Sequence, residues 1–248
     1  MNHPKITILT VCYNAVDVIE KTILSVINQT YSNIEYIVVD GNSNDGTIDV
    51  IKKYSDRISR WVSEPDKGIY DAMNKGTDLA TGEWINFMNA GDFFVNDSVI
   101  EDFRPALQEK HDVVYGNTIL TNGKHQRMRK AYISDDTMPS FCHQSAFISS
   151  QVMKRYHYDK NLVIAGDAEF FYKLHKKGYD FYYVDMSVSL NNFDGISSNN
   201  RAMAYIESSK VKGKKVSKLR LIKYRLEDAM PIWLMRKVLS LKWRFEEL

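Results

Sequence analysis

The stretch from Lys5 to Glu64 reads as strand, helix, strand, helix, strand, and this alternation constrains the fold more than any other feature. KITILTVCYN is apolar through most of its length, the look of a buried strand ending at Tyr13-Asn14. AVDVIEKTILSVINQTY then places Val18, Ile19, Thr22, Ile23, Val26 and Ile27 at helical spacing, with Asn14 as the expected cap. IEYIVVD follows as a second strand, TIDVIKKYSD as a second helix and ISRWVSE as a short third strand. Strands alternating with helices in this way predict an α/β fold with a mostly parallel central sheet flanked by helices.

Ligands of such sheets bind beyond the carboxyl ends of the strands. Three polar clusters fall at such places: CYN after the first strand, DGNSND after the second, and NAGD after the apolar run EWINFM. Neither a Walker-type Gly-Lys-Ser/Thr nor a G-x-G-x-x-G follows the first strand, so a phosphate-cradling glycine loop is not the device expected. PDKGIYDAMNKGTDLATG reads as a helix begun near Asp66 and stopped by Gly82, with Ile69, Met73 and Leu79 inward and Lys67, Asn74 and Lys75 on its polar face.

The second half is less regular. DVVYGNTILT and RMRKAYIS read as paired strands about an Asn122-Gly123 turn, and FCHQSAFIS as an apolar strand interrupted by His143 and Gln144. GDAEFFYKLHKKG is a helix with Asp167 and Glu169 in its first turn and Lys176-Lys177-Gly178 at its end, a charge order that suits the helix dipole. YDFYYVDMSVSL supplies a last strand.

From Arg201 onward the chain changes character. The segment 201–248 holds 13 Lys and Arg against 5 Asp and Glu, a net of +8 within a whole-chain total of +2. It reads as a basic, amphipathic helical tail broken at Gly213 and Pro231, and MPIWLMRKVLSLKW has the mixed pattern of an interfacial helix. An anionic membrane surface is therefore an expected partner; nucleic acid is not. Two distant cysteines, Cys12 and Cys142, suit a reducing compartment better than a disulfide framework. No run approaches the length of a spanning helix, so the expected location is cytoplasmic, with peripheral association on the inner membrane face.

The run from PKITILTVCYN to VVDGNSNDGT, followed by ATGEWINFMNAGD and GDAEFFYKL, resembles the family 2 glycosyltransferases, inverting enzymes of GT-A (Rossmann-like) fold. The resemblance covers residues 4 to about 200 and implies a transferase domain over 1–200. Its nucleotide-binding part would span 1–100 and its acceptor-binding part 101–200, followed by the extension 201–248. It also implies transfer of a sugar from a nucleotide-sugar donor, of the UDP type, to a hydroxyl of a glycan or lipid-linked acceptor. The implied setting is bacterial surface polysaccharide synthesis, such as capsule or O-antigen.

The same resemblance implies roles for individual residues. Thr10, Val11 and Tyr13 would contact the nucleotide, and Asp40 the nucleobase. The family's acidic cluster, which holds a divalent cation and the donor diphosphate, here reads Asn89-Ala90-Gly91-Asp92, so Asp92 is the metal ligand and Asn89 a donor contact. Asp167 matches the catalytic base, with Glu169 second to it. Lys67 is a candidate phosphate contact and His143 a candidate acceptor or phosphate contact.

Physical chemistry supports one acid at that turn. Mg²⁺ or Mn²⁺ takes oxygen ligands, and Mg²⁺ is commonly held by one or two carboxylates with phosphates and waters supplying the rest. Each assignment has a plainer counterpart: turn-forming acids for Asp40, Asp45 and Asp92, a first-turn helix acid for Asp167, a core histidine for His143 and a solvated lysine for Lys67. Two rival functions stand beside the transferase, a non-catalytic nucleotide or glycan-binding module and a sugar-phosphate nucleotidyltransferase. The second should carry a glycine-rich loop after the first strand, where TVCYNAVD has none.

Overall fold

The computed structural model describes residues 3–121, 125–134, 139–192 and 200–230. The expected Asn122-Gly123 turn, the break at Pro231 and the apolar run that follows it lie outside the described residues. The chain divides into two compact units, Met1–Phe193 and Asp194–Leu248.

The first unit begins as the alternation requires. Strand β1 (Ile6–Cys12) is buried along its whole length, and α1 (Ile19–Ile27) turns Ile19, Thr22, Ile23 and Val26 inward. Then come β2 (Ile34–Asp40), α2 (Thr47–Lys53), β3 (Arg60–Ser63), α3 (Ile69–Leu79) and β4 (Trp84–Phe87). These four strands run parallel in the order β3-β2-β1-β4. The register sets Cys12 beside Asp40 and Leu9 beside Phe87, so the loops after β1, β2 and β4 open on one edge.

Beyond β4 the sheet becomes mixed. After β5 (Phe93–Phe94) and α4 (Val99–Leu107) come β6 (Val113–Thr121) and β7 (Gln126–Arg129), which pair antiparallel as the expected hairpin. Strand β8 (Ala146–Ser149) runs antiparallel between β4 and β6, with Asn86 opposite Phe147. Helices α5 (Ser150–Tyr156) and α6 (Gly166–Lys176) precede β9 (Phe181–Asn192), giving the order β3-β2-β1-β4-β8-β6-β9-β5. Because β8 is antiparallel, its start lies at the carboxyl end of β4. The segment entering β8 is thereby delivered to the edge where the β1, β2 and β4 loops open.

Local expectations need correction at three points. Helix α1 is preceded by Val18 at the cap position, without a side-chain cap. Asn14 lies earlier, in a left-handed conformation with φ 47°, and its Oδ1 accepts from the Asn44 backbone N–H at 3.0 Å. Asn74, expected on the polar face of α3, is buried because both ends of its amide bond the backbone of Tyr158, at 2.9 and 2.8 Å. Its inward face is Tyr70, Ala72, Met73 and Gly76, with Ile69 and Leu79 only half-buried. His143 and Gln144 do not interrupt a strand; they form a single 3-10 turn, His143–Ser145, before β8.

The second unit holds α7 (Arg201–Val211) and α8 (Lys218–Asp228), separated by Gly213 at φ 61°, where the sequence predicts a break. Asp228 accepts from the backbone N–H groups of Arg201 and Ala202, each at 2.9 Å, satisfying donors that a helix start leaves open. Leu219, Ile222 and Leu226 of α8 are exposed, set among Lys218, Arg220, Lys223 and Arg225.

Candidate active site

The turn Asn89-Ala90-Gly91-Asp92 follows β4 and is held from two sides. Gly91 has φ 98°, a conformation that side chains rarely adopt, and the Asp92 N–H donates to the Asn89 carbonyl at 3.0 Å. From α1, the Thr22 hydroxyl donates to the Asp92 carbonyl at 2.9 Å and accepts from the Gly91 N–H at 3.0 Å. From β1, the Val11 carbonyl accepts the Ala90 N–H at 3.1 Å. The Asp92 carboxyl is therefore aimed by backbone, and Gln144 Nε2 donates to its Oδ2 at 2.6 Å. Burial pushes its pKa up to about 6, although the bond from Gln144, His143 nearby and the Asn192 N–H each pull it down.

His143 joins this turn to the first turn of α6. Its Nδ1 lies 2.9 Å from Asp167 Oδ2 and its Nε2 lies 3.0 Å from Asn89 Nδ2. With the Asn89 amide donating to Nε2, the ring proton sits on Nδ1 and donates to Asp167. Asn86, buried on β4, fixes the 3-10 turn by donating from Nδ2 to the Gln144 and Ala146 carbonyls, both at 2.9 Å. Asp167 also accepts from the Ala168 N–H at 2.8 Å, and the Tyr70 hydroxyl lies 3.3 Å from its Oδ1. Burial alone would raise the Asp167 pKa, but the hydrogen bond from His143, with the Ala168 N–H and the Tyr70 hydroxyl, holds it below the usual carboxylate value. Gly166 lets Tyr70 approach, since a Cβ there would lie 2.7 Å from the phenol ring.

Asp40 is fully buried, and its carboxylate accepts from the Ser43 N–H at 2.9 Å, Ser43 Oγ at 2.5 Å and Ser63 Oγ at 2.6 Å, with Cys12 Sγ at 3.5 Å. A carboxylate so occupied braces the loops after β1, β2 and β3. A Cβ at Gly41 would lie 2.5 Å from Asp66 Oδ2 and 3.3 Å from Tyr13 Cδ2, so Asp66 and the exposed Tyr13 meet over the bare backbone of the DGNSND loop.

Thr10 is buried, its hydroxyl donating to the Met88 carbonyl at 2.8 Å and lying 3.0 Å from the Tyr36 hydroxyl, and Val11 is buried beside it. The Thr10 hydroxyl and the Val11 carbonyl tie the end of β1 to the stretch from Met88 to Ala90. Asp45 accepts from Thr47 and from the Val16 N–H, the turn-forming role. Lys67 is exposed, with its backbone N–H bonded to Asp71. Glu169 pairs with Lys173 and lines a cleft with His157, Tyr158 and Phe170. Two helical positions from Asp167 it points to another face, so it is not brought to the site.

The structure thus brings together Asn89, Asp92, His143 and Asp167, and adds Gln144, Tyr70 and Asn86, to which the sequence assigns no role. Among the described residues no group of three or more His, Cys, Asp or Glu could hold a metal ion unaided. Asp92 and Asn89 still suit one: the Asn89 Oδ1 is buried without a hydrogen-bond partner, a carbonyl oxygen of the kind a hard cation accepts.

The family model for glycosyl transferase family 2 matches residues 7–179. The chain belongs to this family. Among family 2 relatives, an uncharacterized glycosyltransferase of Mycobacterium tuberculosis (strain ATCC 25618 / H37Rv) is 33% identical over 179 residues, 67% of each chain. A PGL/p-HBAD biosynthesis glycosyltransferase of Mycobacterium bovis (strain BCG / Pasteur 1173P2) is 30% identical over 154 residues, 59% of this chain and 60% of its own. The mannosyltransferase PcManGT of Pyrobaculum calidifontis, solved with GDP-Man and Mn²⁺, superposes with TM-score 0.68 at 16% identity over 96% of this chain and 74% of its own. Residues 1–349 of S. aureus TarS, solved with UDP-GlcNAc, superpose with TM-score 0.67 at 16% identity over 88% and 69%. This family 2 chain spans 44% of the longer TarS chain. The structural likenesses confirm the GT-A fold.

The raised pKa of Asp92 sets a pH window. A carboxyl whose folded pKa lies near 6, above its ordinary 3.8, is unfavourable to ionise, so this group lowers stability as pH rises from about 4 to about 6. Asp92→Asn should therefore stabilise the unliganded protein at pH 7.5, by on the order of 2 kcal/mol in denaturant unfolding. A destabilised Asn variant would contradict the assignment.

Proposed function

We propose that this family 2 enzyme transfers a sugar, with inversion, from a UDP-sugar to a hydroxyl of a glycan or lipid-linked acceptor in bacterial surface polysaccharide synthesis. The observation that carries the reading is His143, bonded at once to Asp167 and to the turn of Asn89 and Asp92. It sets a candidate base against a candidate diphosphate site. Tyr13 and Asp66 form the base-binding end, with the Asp66 carboxylate available to the nucleobase edge. Relatives solved with UDP-GlcNAc and with GDP-Man and Mn²⁺ support a nucleotide-sugar donor, and the PGL/p-HBAD relative supports a glycolipid acceptor.

Inverting displacement forms one bond as it breaks another. The acceptor oxygen attacks the anomeric carbon, the bond to the diphosphate breaks, and the hydroxyl proton passes to Asp167. Held ionised by His143, Ala168 and Tyr70, Asp167 is in its base form at neutral pH. Its weak basicity suits a proton taken late, when bond formation has acidified the hydroxyl. Asp92 and the Asn89 Oδ1 are the protein groups that would hold a divalent cation. When bound, the cation neutralises charge on the diphosphate leaving group.

Assays with UDP-, GDP- and dTDP-sugars and Mn²⁺ test this. Asp167→Asn should lower the transfer rate about 10²- to 10⁴-fold while UDP still binds, and Asp92→Ala should abolish transfer. Wild-type rates in Asp167→Asn would overturn the role of that residue.

The basic extension is assigned to an anionic membrane surface. Its support is the exposed Leu219, Ile222 and Leu226 among four cations on α8. No helix among the described residues is long and apolar enough to cross a membrane. The full chain should sediment with phosphatidylglycerol vesicles at low salt and not with phosphatidylcholine vesicles; equal binding to both, or to neither, would reject the assignment.

A further inference from the structure

The β6–β7 hairpin carries a guanidinium to the segment that leads into the 3-10 turn of His143, and the transfer reaction as derived leaves it without a task. Arg129 ends β7 opposite Thr118 of β6, and its side chain is exposed. It reaches the segment that leads into the 3-10 turn: Nη2 lies 3.4 Å from Ser140 Oγ and Nη1 3.6 Å from Cys142 Sγ. Cys142 immediately precedes His143, whose ring holds Asp167. The Thr118 hydroxyl lies 2.7 Å from Ser145 Oγ, so the hairpin and the 3-10 turn are fastened together rather than merely adjacent.

Both contacts are long, and both acceptors are neutral, one of them a thiol, which accepts weakly. A guanidinium carries five N–H donors and a permanent charge in a planar fork that fits carboxylate or phosphate two bonds at a time. Among the described residues no carboxylate is paired with Arg129. The adjacent Lys130, by contrast, lies 4.0 Å from Asp185. The donor turn meets the 3-10 turn through His143 Nε2 and the Gln144 amide, whereas Arg129 approaches through Ser140 and Cys142.

Building on the transferase reading, we propose that Arg129 is an anion-recognition group of the acceptor site, and that the acceptor carries a phosphate or carboxylate oxyanion near the hydroxyl that is glycosylated. This gives the acceptor a chemical class, a sugar that is anionic close to its point of attachment. It also gives Arg129 a part in choosing the acceptor that is separate from the chemistry at Asp167.

The test uses the full chain, its best UDP-sugar donor and Mn²⁺, with three acceptors that share one sugar. One is a neutral alkyl glycoside, one is linked to the same alkyl chain through a diphosphate, and one is the corresponding alkyl uronate. The wild type should prefer one anionic acceptor over the neutral one by about 10- to 100-fold in kcat/KM, the size of a lost charge-assisted bond. Which of the two it prefers distinguishes phosphate from carboxylate. Arg129→Gln should abolish that preference and Arg129→Lys should restore part of it, while hydrolysis of the donor without acceptor stays unchanged in both. Equal use of all three acceptors by the wild type, a preference that survives Arg129→Gln, or donor hydrolysis that falls together with transfer would each overturn the inference. A wild type that neither binds nor hydrolyses any nucleotide sugar would instead overturn the transferase reading beneath it.

Discussion

One imidazole ties the site together. His143 bonds Asp167 on α6 through Nδ1 and Asn89 after β4 through Nε2, at 2.9 and 3.0 Å. Asp167 sits in the first turn of α6 and Asn89 in a turn held by bonds from β1 and α1, so the two bonds fix the distance between a candidate base and a candidate diphosphate site before any ligand arrives. Such preorganisation matters because a reacting group displaced by about 1 Å can lose on the order of 10²-fold in rate. Gln144 repeats the device one residue later, holding the Asp92 carboxyl at 2.6 Å.

The sheet explains how two adjacent residues come to serve both ends of the site. Four parallel strands place the loops after β1, β2 and β4 on one edge, and β8 then enters antiparallel beside β4. A parallel strand there would have delivered the start of β8 to the opposite edge. Asn86 on β4 completes the arrangement by donating to the carbonyls of Gln144 and Ala146, so the strand that carries the NAGD turn also holds the turn that answers it.

Much of this was legible in the sequence, for identifiable reasons. Strands β1 and β2 and helices α1 and α6 follow from periodicity because each buries one face or both, and Asp92 and Asp167 stand out as acids at a strand end and a helix start. What escaped depends on contacts between distant segments. Asp40 and Asp66 are both loop acids in sequence; only packing shows that two serines saturate the first, and that the bare Gly41 gives the second its place beside Tyr13. Gln144 carries no signal of its own beyond its place beside His143, and Asn74 reads as surface because its partner, Tyr158, lies 84 residues away. Glu169 has the opposite fault, an acid well placed in sequence that helical geometry turns away from Asp167.

His143 is assigned a positioning role, holding Asp167 in place and ionised against the Asn89 turn. Steady-state transfer and UDP affinity measured together for His143→Ala test it most directly. Its kcat should fall by roughly 10²-fold with UDP affinity within a few-fold of the wild type, since the groups assigned to the nucleobase, Tyr13 and Asp66, are untouched. A His143→Ala enzyme that transfers sugar at the wild-type rate would contradict it.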